Sequence, residues 1–369
     1  MVAAAAIGWT GLATSAQELD LAPMPSPPAL PNWDRVFSGR LGFGYRDNVL
    51  RASRAAPGSA FLLTGGEFFF SRLPVDGTQV DFMVTGDLYG YFRKQAVPSE
   101  ASAFGQAAIK RDWNASWQTS LSLEALYQDQ VLDVSTTDPA FGRIKVQGET
   151  LIARPALRRN LPQSSWVTVE FSAIRQFYLT PLDDYWEGGP KLILGHAYGN
   201  KSEITLSYEV LPRSYDTDSQ LAADGTLLPG TRRRFLQQDA RLAWRHHWDS
   251  ESRWRTTTKL GFKQNDDNGS GYFNYARAQV SEQVRFRNEL WEITGAAKLN
   301  FYHFPVQTVS TSDPRRREQA DVTLTLRAER HLGESVRLFL EYDRERTFSN
   351  VSSDRYTVNT VTGGLNFEF

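Results

Sequence analysis

From Arg35 to Phe369 the sequence repeats one unit: a segment that alternates apolar and polar side chains, then a connection, then another such segment. In Trp117–Val131, the residues Trp117, Leu121, Leu123, Ala125 and Tyr127 fall on one side, and Gln118, Ser120, Ser122, Glu124 and Gln128 on the other. Val167, Val169, Phe171 and Ala173 oppose Thr168, Glu170, Ser172 and Gln176 in the same way. Ile204, Leu206, Tyr208 and Val210 oppose Thr205, Ser207 and Glu209, and Val322, Leu324, Leu326 and Ala328 oppose Thr323, Thr325, Arg327 and Glu329. A period of two belongs to an extended strand with one face in an apolar medium and the other in water. A soluble sandwich alternates too, but its strands run to about five or six residues. Segments of about ten or more, with ionised residues on the polar face, suit strands that cross a membrane at a tilt.

The connections carry a second constraint. Short ones, such as Arg111–Ser116, Gly199–Ser202 and His331–Glu334, alternate with long ones, such as Arg46–Ser59, Asp133–Arg143, Arg213–Arg232 and Pro305–Arg316. A barrel with short turns at one membrane face and long loops at the other has this rhythm. One turn, Ser71–Thr78, is longer than its class. The segments between breaks are 35–45, 60–70, 80–92, 103–111, 117–131, 146–158, 166–177, 190–198, 203–212, 234–247, 254–264, 272–286, 290–303, 318–330, 335–345 and 355–369. The expected fold is therefore all-β, a transmembrane up-and-down antiparallel β-barrel of about 16 strands over 35–369, with both ends on the periplasmic side.

Aromatic placement agrees. Trp113, Trp117, Trp166, Trp244, Trp248, Trp254 and Trp291 lie beside short turns, where indole prefers the lipid–water boundary. Tyr45, Phe177, Tyr178, Tyr208, Phe262, Phe273 and Phe301 lie near long loops and are expected to form the opposite girdle. Aromatic residues make up 12% of the chain. Even so, no apolar run approaches the roughly 18 residues of a helical span. Cysteine is absent, which removes thiolate metal sites and cysteine nucleophiles. A net charge of -1 gives no bias toward nucleic acid.

The small, apolar stretch up to Thr14-Ser15-Ala16 reads as an export signal over residues 1–16. Residues 17–34 include Pro23, Pro25, Pro27, Pro28 and Pro31 and read as a stiff periplasmic spacer. At the other end, Val361, Leu365, Phe367 and Phe369 alternate with Thr362, Asn366 and Glu368. A final strand ending on Phe is similar to the signal read by the outer-membrane barrel assembly machinery, so Phe369 is the expected assembly signal, on a closing strand that pairs with Phe37–Tyr45.

The polar faces define a lumen. Arg241, Arg245, Arg255, Lys259, Lys263, Arg277 and Arg285 form an expected basic wall on three consecutive segments, continued by Lys298 and Arg327. Asp81, Asp87, Glu124, Glu170 and Glu209 form an expected acidic wall on earlier segments. Two readings stand open: a transverse field that orients polar solutes, or a lumen plugged by salt bridges with Asp239, Glu282, Glu292, Glu329 and Glu341 as partners. Neither is catalytic. The five histidines, His196, His246, His247, His303 and His331, lie mostly near short turns and lack a nucleophile motif, so no enzyme is expected, and no metal or cofactor. His246 is expected at the interface beside Trp244 and Trp248. The run Asn265–Gly271 reads as a turn rather than a calcium loop, since the spaced ligands and closing Glu are missing. Arg232-Arg233-Arg234 and Arg315-Arg316-Arg317 are loop charge, or contacts to lipopolysaccharide phosphates.

Gly42-Phe43-Gly44-Tyr45-Arg46-Asp47-Asn48-Val49-Leu50 resembles the Gly-Tyr-Asp-Asp-Asn-Val opening of outer-membrane barrels encoded beside exopolysaccharide and exosortase genes, with Arg46 where that family usually has an acid. The resemblance implies a barrel in the outer membrane of a Gram-negative bacterium, linked to surface polysaccharide, and carries over no binding residue. The expected function is porin-like passage of small polar or anionic solutes. The alternative is a non-conducting accessory or anchoring barrel of a polysaccharide or surface-protein export system. Expected partners are outer-membrane lipid and lipopolysaccharide, the barrel assembly machinery, small polar solutes and polysaccharide export components.

Overall fold

The computed structural model describes residues 33–53, 57–93, 97–134, 143–179, 181–310 and 312–369. The expected export signal and residues 17–32 of the expected spacer lie outside the described residues. Trp33 and Asp34, placed in the spacer by sequence, belong to the first strand.

In chain order the strands are β1 (Trp33–Arg46), β2 (Ser59–Val75), β3 (Thr78–Tyr91), β4 (Ser99–Asp112), β5 (Trp117–Asp133), β6 (Arg143–Leu161), β7 (Ser165–Tyr178), β8 (Tyr185–Tyr198), β9 (Ser202–Tyr215), β10 (Gln220–Leu221), β11 (Leu227–Leu228), β12 (Arg234–His247), β13 (Trp254–Asp267), β14 (Tyr275–Arg287), β15 (Trp291–Ser310), β16 (Asp313–His331), β17 (Val336–Ser349) and β18 (Tyr356–Glu368). The short β10 and β11 pair with each other in the loop between β9 and β12. The other sixteen close into one antiparallel barrel, in which β1 meets β18 from Ser38↔Glu368 to Arg46↔Thr360. Beyond that ladder the Phe369 N–H donates to the Phe37 carbonyl at 2.8 Å, and the two rings lie 5.8 Å apart. Closure leaves the barrel itself without an edge strand among the described residues, which a lipid environment requires.

Alternation sorts every strand into two faces. Leu41 and Phe43 on β1, Leu206 on β9, Phe262 on β13 and Leu340 on β17 are large, apolar and exposed, with Phe43 at 58% and Leu340 at 59%. A continuous apolar exterior of this kind is a lipid-facing surface. Trp113, Trp117, Trp244, Trp248, Trp254 and Trp291 are exposed beside the short turns, and Tyr45, Phe177, Tyr208, Phe262 and Phe301 are exposed toward the other rim. Three expected girdle residues sit elsewhere. Trp166 turns inward, with Arg158 over its ring at 4.4 Å and Gly195, lacking a side chain, against it. Tyr178 shares that inner face with Tyr185, and Phe273 is buried beneath a loop.

Several boundaries differ from the sequence reading for local reasons. The long turn Ser71–Thr78 shrinks to Asp76-Gly77, whose φ values of 51° and 73° suit a two-residue hairpin, because β2 continues through a bulge at Leu73-Pro74. The expected loop Pro305–Arg316 is mostly hairpin, as β15 and β16 run past bulges after His303 and Thr308. β8 begins at Tyr185 rather than at Pro190, and its ladder to β9 skips Gly188–Pro190.

Inside the barrel, Val49 and Val97 from loops pack with Phe61, Leu63, Tyr91, Val131 and Phe339 into a buried cluster. A second cluster joins Leu221 of the β10–β11 hairpin to Tyr215, Phe235 and Phe273. The long loop between β9 and β12 thus folds onto inward-facing aromatics.

Candidate functional site

All twelve residues singled out for the two lumen walls occupy inward positions. On β12, β13 and β14 the exposed apolar residues are even-numbered (Leu236, Leu260, Phe262, Val280 and Val284), so the odd-numbered Arg241, Arg245, Arg255, Lys259, Lys263, Arg277 and Arg285 point inward. Asp81 and Asp87 on β3, Glu124 on β5, Glu170 on β7 and Glu209 on β9 lie opposite exposed Phe82, Leu123, Phe171 and Leu206 in the same way.

Each group is part ion-paired and part not. Asp87 pairs with Arg40, Glu124 with Arg154, and Glu170 with Lys191 at 3.5 Å. Asp81 accepts from Ser71 at 2.5 Å and from Gln79, and Glu209 from Ser172 at 3.2 Å. On the basic side, Arg241 binds Asp239 at 2.6 Å, Arg245 binds Glu203 at 3.2 Å and Arg285 binds Glu292 at 2.7 Å. Arg277 stands 3.9 Å from the same Asp239. Arg327 holds both Glu329 and Glu341, at 2.6 and 2.5 Å. Glu282 is no partner to this wall: it lies on the even, outer face of β14 and accepts from Thr258 at 2.5 Å.

Four cations of the basic wall have no ion-pair partner among the described residues: Arg255, Lys259, Lys263 and Lys298. Their order follows from register. Arg255, Lys259 and Lys263 recur every fourth residue on β13, about 13 Å apart. Lys259 pairs with Ser281 and Ser281 with Lys298, which puts the two lysines in one cross-strand row about 10 Å apart. Lys263 pairs with Arg277 two inward rows farther toward the long loops, and Arg255 with Arg285 two inward rows toward the short turns. The result is a flight of positive charge along one side of the lumen, with Asp321 within electrostatic reach of Lys298.

Two struts absent from the sequence reading narrow the opposite side. Arg51, in the loop after β1, clamps Glu345 on β17 with two contacts of 3.0 Å and donates to the Val131 carbonyl on β5. Arg143, at the start of β6, donates to the carbonyls of Ser353 (3.0 Å) and Asp354 and stacks over Tyr356 at 4.5 Å. Each joins parts of the ring that have at least β1–β4 between them, and the first buried cluster fills the sector they cut off. The unpaired cations stand outside that sector, on β13 and β15. The one sequence signal for the struts is the Asp47-Asn48 turn, which aims Arg51 inward: Asn48 bonds Ala52 and the Thr357 carbonyl.

The remaining candidates resolve simply. His246 touches Tyr198 at 3.1 Å and lies 5.7 and 4.5 Å from Trp244 and Trp248. His196 faces Ser165 at 3.0 Å beside a short turn, and among the described residues no carboxylate pairs with that imidazole. The Asn265–Gly271 run is closed by Asp267, which accepts the N–H groups of Gly269, Gly271 and Phe273 at 2.8, 2.9 and 2.8 Å. Among the described residues no group of His, Asp or Glu is placed to hold a metal. Arg233 of the first Arg triplet is buried over Tyr215 at 4.3 Å, and Arg317 of the second lies over Phe304 at 4.6 Å.

No protein-family model matches the chain, and no curated protein sequence does. Solved structures match it over nearly the whole barrel. The crystal structure of Acinetobacter baumannii OccAB1 is 9% identical with a TM-score of 0.50, covering 91% of this chain and 96% of that one. OccAB4 of the same organism is 8% identical with a TM-score of 0.50, over 92% and 99%. An anion-selective porin from Comamonas acidovorans is 8% identical with a TM-score of 0.47, over 91% and 99%. The likeness is one of fold.

Proposed function

We propose that the chain is an outer-membrane channel of a Gram-negative bacterium through which small polar solutes, anions above all, pass along the unpaired cations. The observation that carries this is the set of uncompensated cations along one face of the lumen: Arg255, Lys259, Lys263 and Lys298 form no ion pair among the described residues, whereas the acids of the other wall without an ion pair are two, Asp81 and Glu209, each hydrogen-bonded to a neutral neighbour. Uncompensated charge on a water-lined wall of low-dielectric protein raises the local concentration of counter-ions and lowers their barrier to passage. The porin fold supports the reading by analogy alone. The decisive measurement is ion current through the refolded protein in a planar bilayer under a salt gradient. Steady current with a reversal potential on the anion side is expected; a membrane-inserted protein that carries no current would sink the proposal.

A second reading, a non-conducting barrel serving polysaccharide or surface-protein export, draws on the filled sector behind the Arg51 and Arg143 struts. It predicts the no-current outcome of the same experiment.

A further inference from the structure

The channel reading leaves unused a dent in the outer wall below Arg234. Pro190 on β8 and Pro212 on β9 have no N–H to donate, and the β8–β9 ladder skips Gly188–Pro190, although the register on either side (Glu187↔Arg213, Lys191↔Glu209) is unchanged. A Cβ at Gly189 would collide with the Val210 carbonyl oxygen, so the two backbones approach where no side chain fits. The β6–β7 ladder likewise skips Arg154 and Pro155. A groove of about 840 Å³ lies on the outer face of this part of the wall.

The lining is apolar through Phe171, Ala173, Trp186, Pro212 and Leu236; Trp186 and Arg234 share the row of Ser214 at the end nearest the long loops, and Asp266 stands beside Leu236 in the next outward row. Trp186 is fixed there by Arg175, 5.1 Å from its ring, and Arg175 is itself committed to Asp216 at 2.6 Å. Of the ionised groups of the groove other than Arg234, two pair with each other and the two aspartates hold only neutral donors. Glu187 and Arg213 hold each other at 2.5 Å, Asp266 accepts from Gln264 at 2.9 Å, and Asp267 is capped by three backbone N–H groups. Arg234 is exposed and makes no ion pair among the described residues. A lone guanidinium above an apolar furrow, at the level of the outer leaflet, matches a ligand with a phosphate at one end and an acyl chain at the other.

We propose that this groove binds one phosphorylated glycolipid of the lipid A type, with its phosphate on Arg234 and an acyl chain along Phe171, Trp186, Pro212 and Leu236. Arg234 is then the member of the Arg232-Arg233-Arg234 triplet that meets lipid, while Arg233 packs beneath the loop.

The test is native mass spectrometry of the full-length barrel in detergent, titrated with purified lipid A. Wild type is expected to hold one lipid at saturation. Arg234→Ala, which removes the phosphate contact, and Ala173→Phe, which fills the furrow from a lipid-facing position, are each expected to weaken binding about tenfold. Arg330→Ala, an outer-face arginine at the opposite rim beside Trp291, is the matched control and is expected to leave binding unchanged. Heat-modifiable gel mobility confirms that each variant is a closed barrel. Equal titration of wild type, Arg234→Ala and Ala173→Phe would overturn the site, and so would an equal loss in Arg330→Ala, because either result describes annular lipid. Neither outcome depends on whether the barrel conducts.

Discussion

Arg51 meets Glu345 in a two-pronged contact, Nε to Oε2 and Nη2 to Oε1, both 3.0 Å, reaching past β18, which lies between β1 and β17 in the ring. Arg51 adopts a φ of 52°, a left-handed conformation that the Asp47-Asn48 turn imposes and that the clamp retains. Burial opposes the guanidinium charge, but the carboxylates of Glu345 and Glu100 hold Arg51 above its ordinary pKa, so it stays cationic wherever the barrel is folded. Replacing Glu345 by Gln removes the carboxylate that the guanidinium grips and leaves the cation part-buried. The expected cost is about 2 kcal/mol, between the values for exposed and fully buried pairs, read from urea unfolding of the refolded barrel. Single-channel current is expected to rise and become noisier as the loop loosens. Current as steady and as small as wild type would show that the strut does not limit the passage.

The same turn ties the seam of the barrel. Asp47 Oδ1 accepts the Asn359 backbone N–H at 2.8 Å and Oδ2 accepts its side-chain amide at 2.6 Å, just beyond the last β1–β18 pair. Asp47→Ala strands both donors and is expected to cost about 1–3 kcal/mol, lowering the temperature at which the folded gel band converts to the unfolded one. Asp47→Asn keeps one acceptor and should fall between. Identical transition temperatures for all three proteins would refute a role in closure.

How much of this was readable beforehand depends on the range of the interaction. The sixteen strands were legible because a two-residue period is local and the lipid face demands it at every step, as in Trp117–Asp133. Inward direction was legible for the same reason. It failed for Glu282, whose charge suggested the lumen although it shares its parity with outward Val280 and Val284. Partner choice was not legible. Arg40 and Asp87 lie on β1 and β3 with Gly65 of β2 between them in the same row, and only the absent side chain of Gly65 lets them meet. The Arg51 and Arg143 struts were hidden because loop side chains follow no period. Pro305 misled in the other direction: proline and nearby charge suggested a loop where a bulged hairpin absorbs both.

The unpaired cations make a quantitative case for selectivity. Replacing Lys259, Lys263 and Lys298 by Ser removes three charges without stranding any acid, since none of the three is ion-paired among the described residues. Stability is expected to change by less than about 0.5 kcal/mol per site, while the reversal potential moves toward zero. The paired Arg285 provides the contrast. Arg285→Ser changes the wall by one charge, as each lysine variant does, but it takes the 2.7 Å partner from the Glu292 carboxylate, leaving it Arg287 at 4.0 Å, and should also cost about 1 kcal/mol of stability. A reversal potential that does not move in the triple variant would mean that ions pass without sensing this wall.

The assignment of faces can itself be tested on adjacent residues of one strand. Leu324 lies mid-strand on the outer face of β16, among Val322, Leu326 and Ala328, whereas Thr325 is its inward neighbour and donates to Asp343 at 2.6 Å. Leu324→Arg must carry its charge in the hydrocarbon, at an expected cost of about 2–4 kcal/mol near the membrane midplane. Thr325→Arg enters the water-lined side beside the Asp343 carboxylate, gains a partner in place of the lost hydroxyl contact, and should cost about 1 kcal/mol or less. Refolding yield into lipid vesicles and urea midpoints measure both. The two variants place the same side chain one position apart, so a midpoint lowered equally in both would contradict the lipid-facing and lumen-facing assignment of every strand in register with β16.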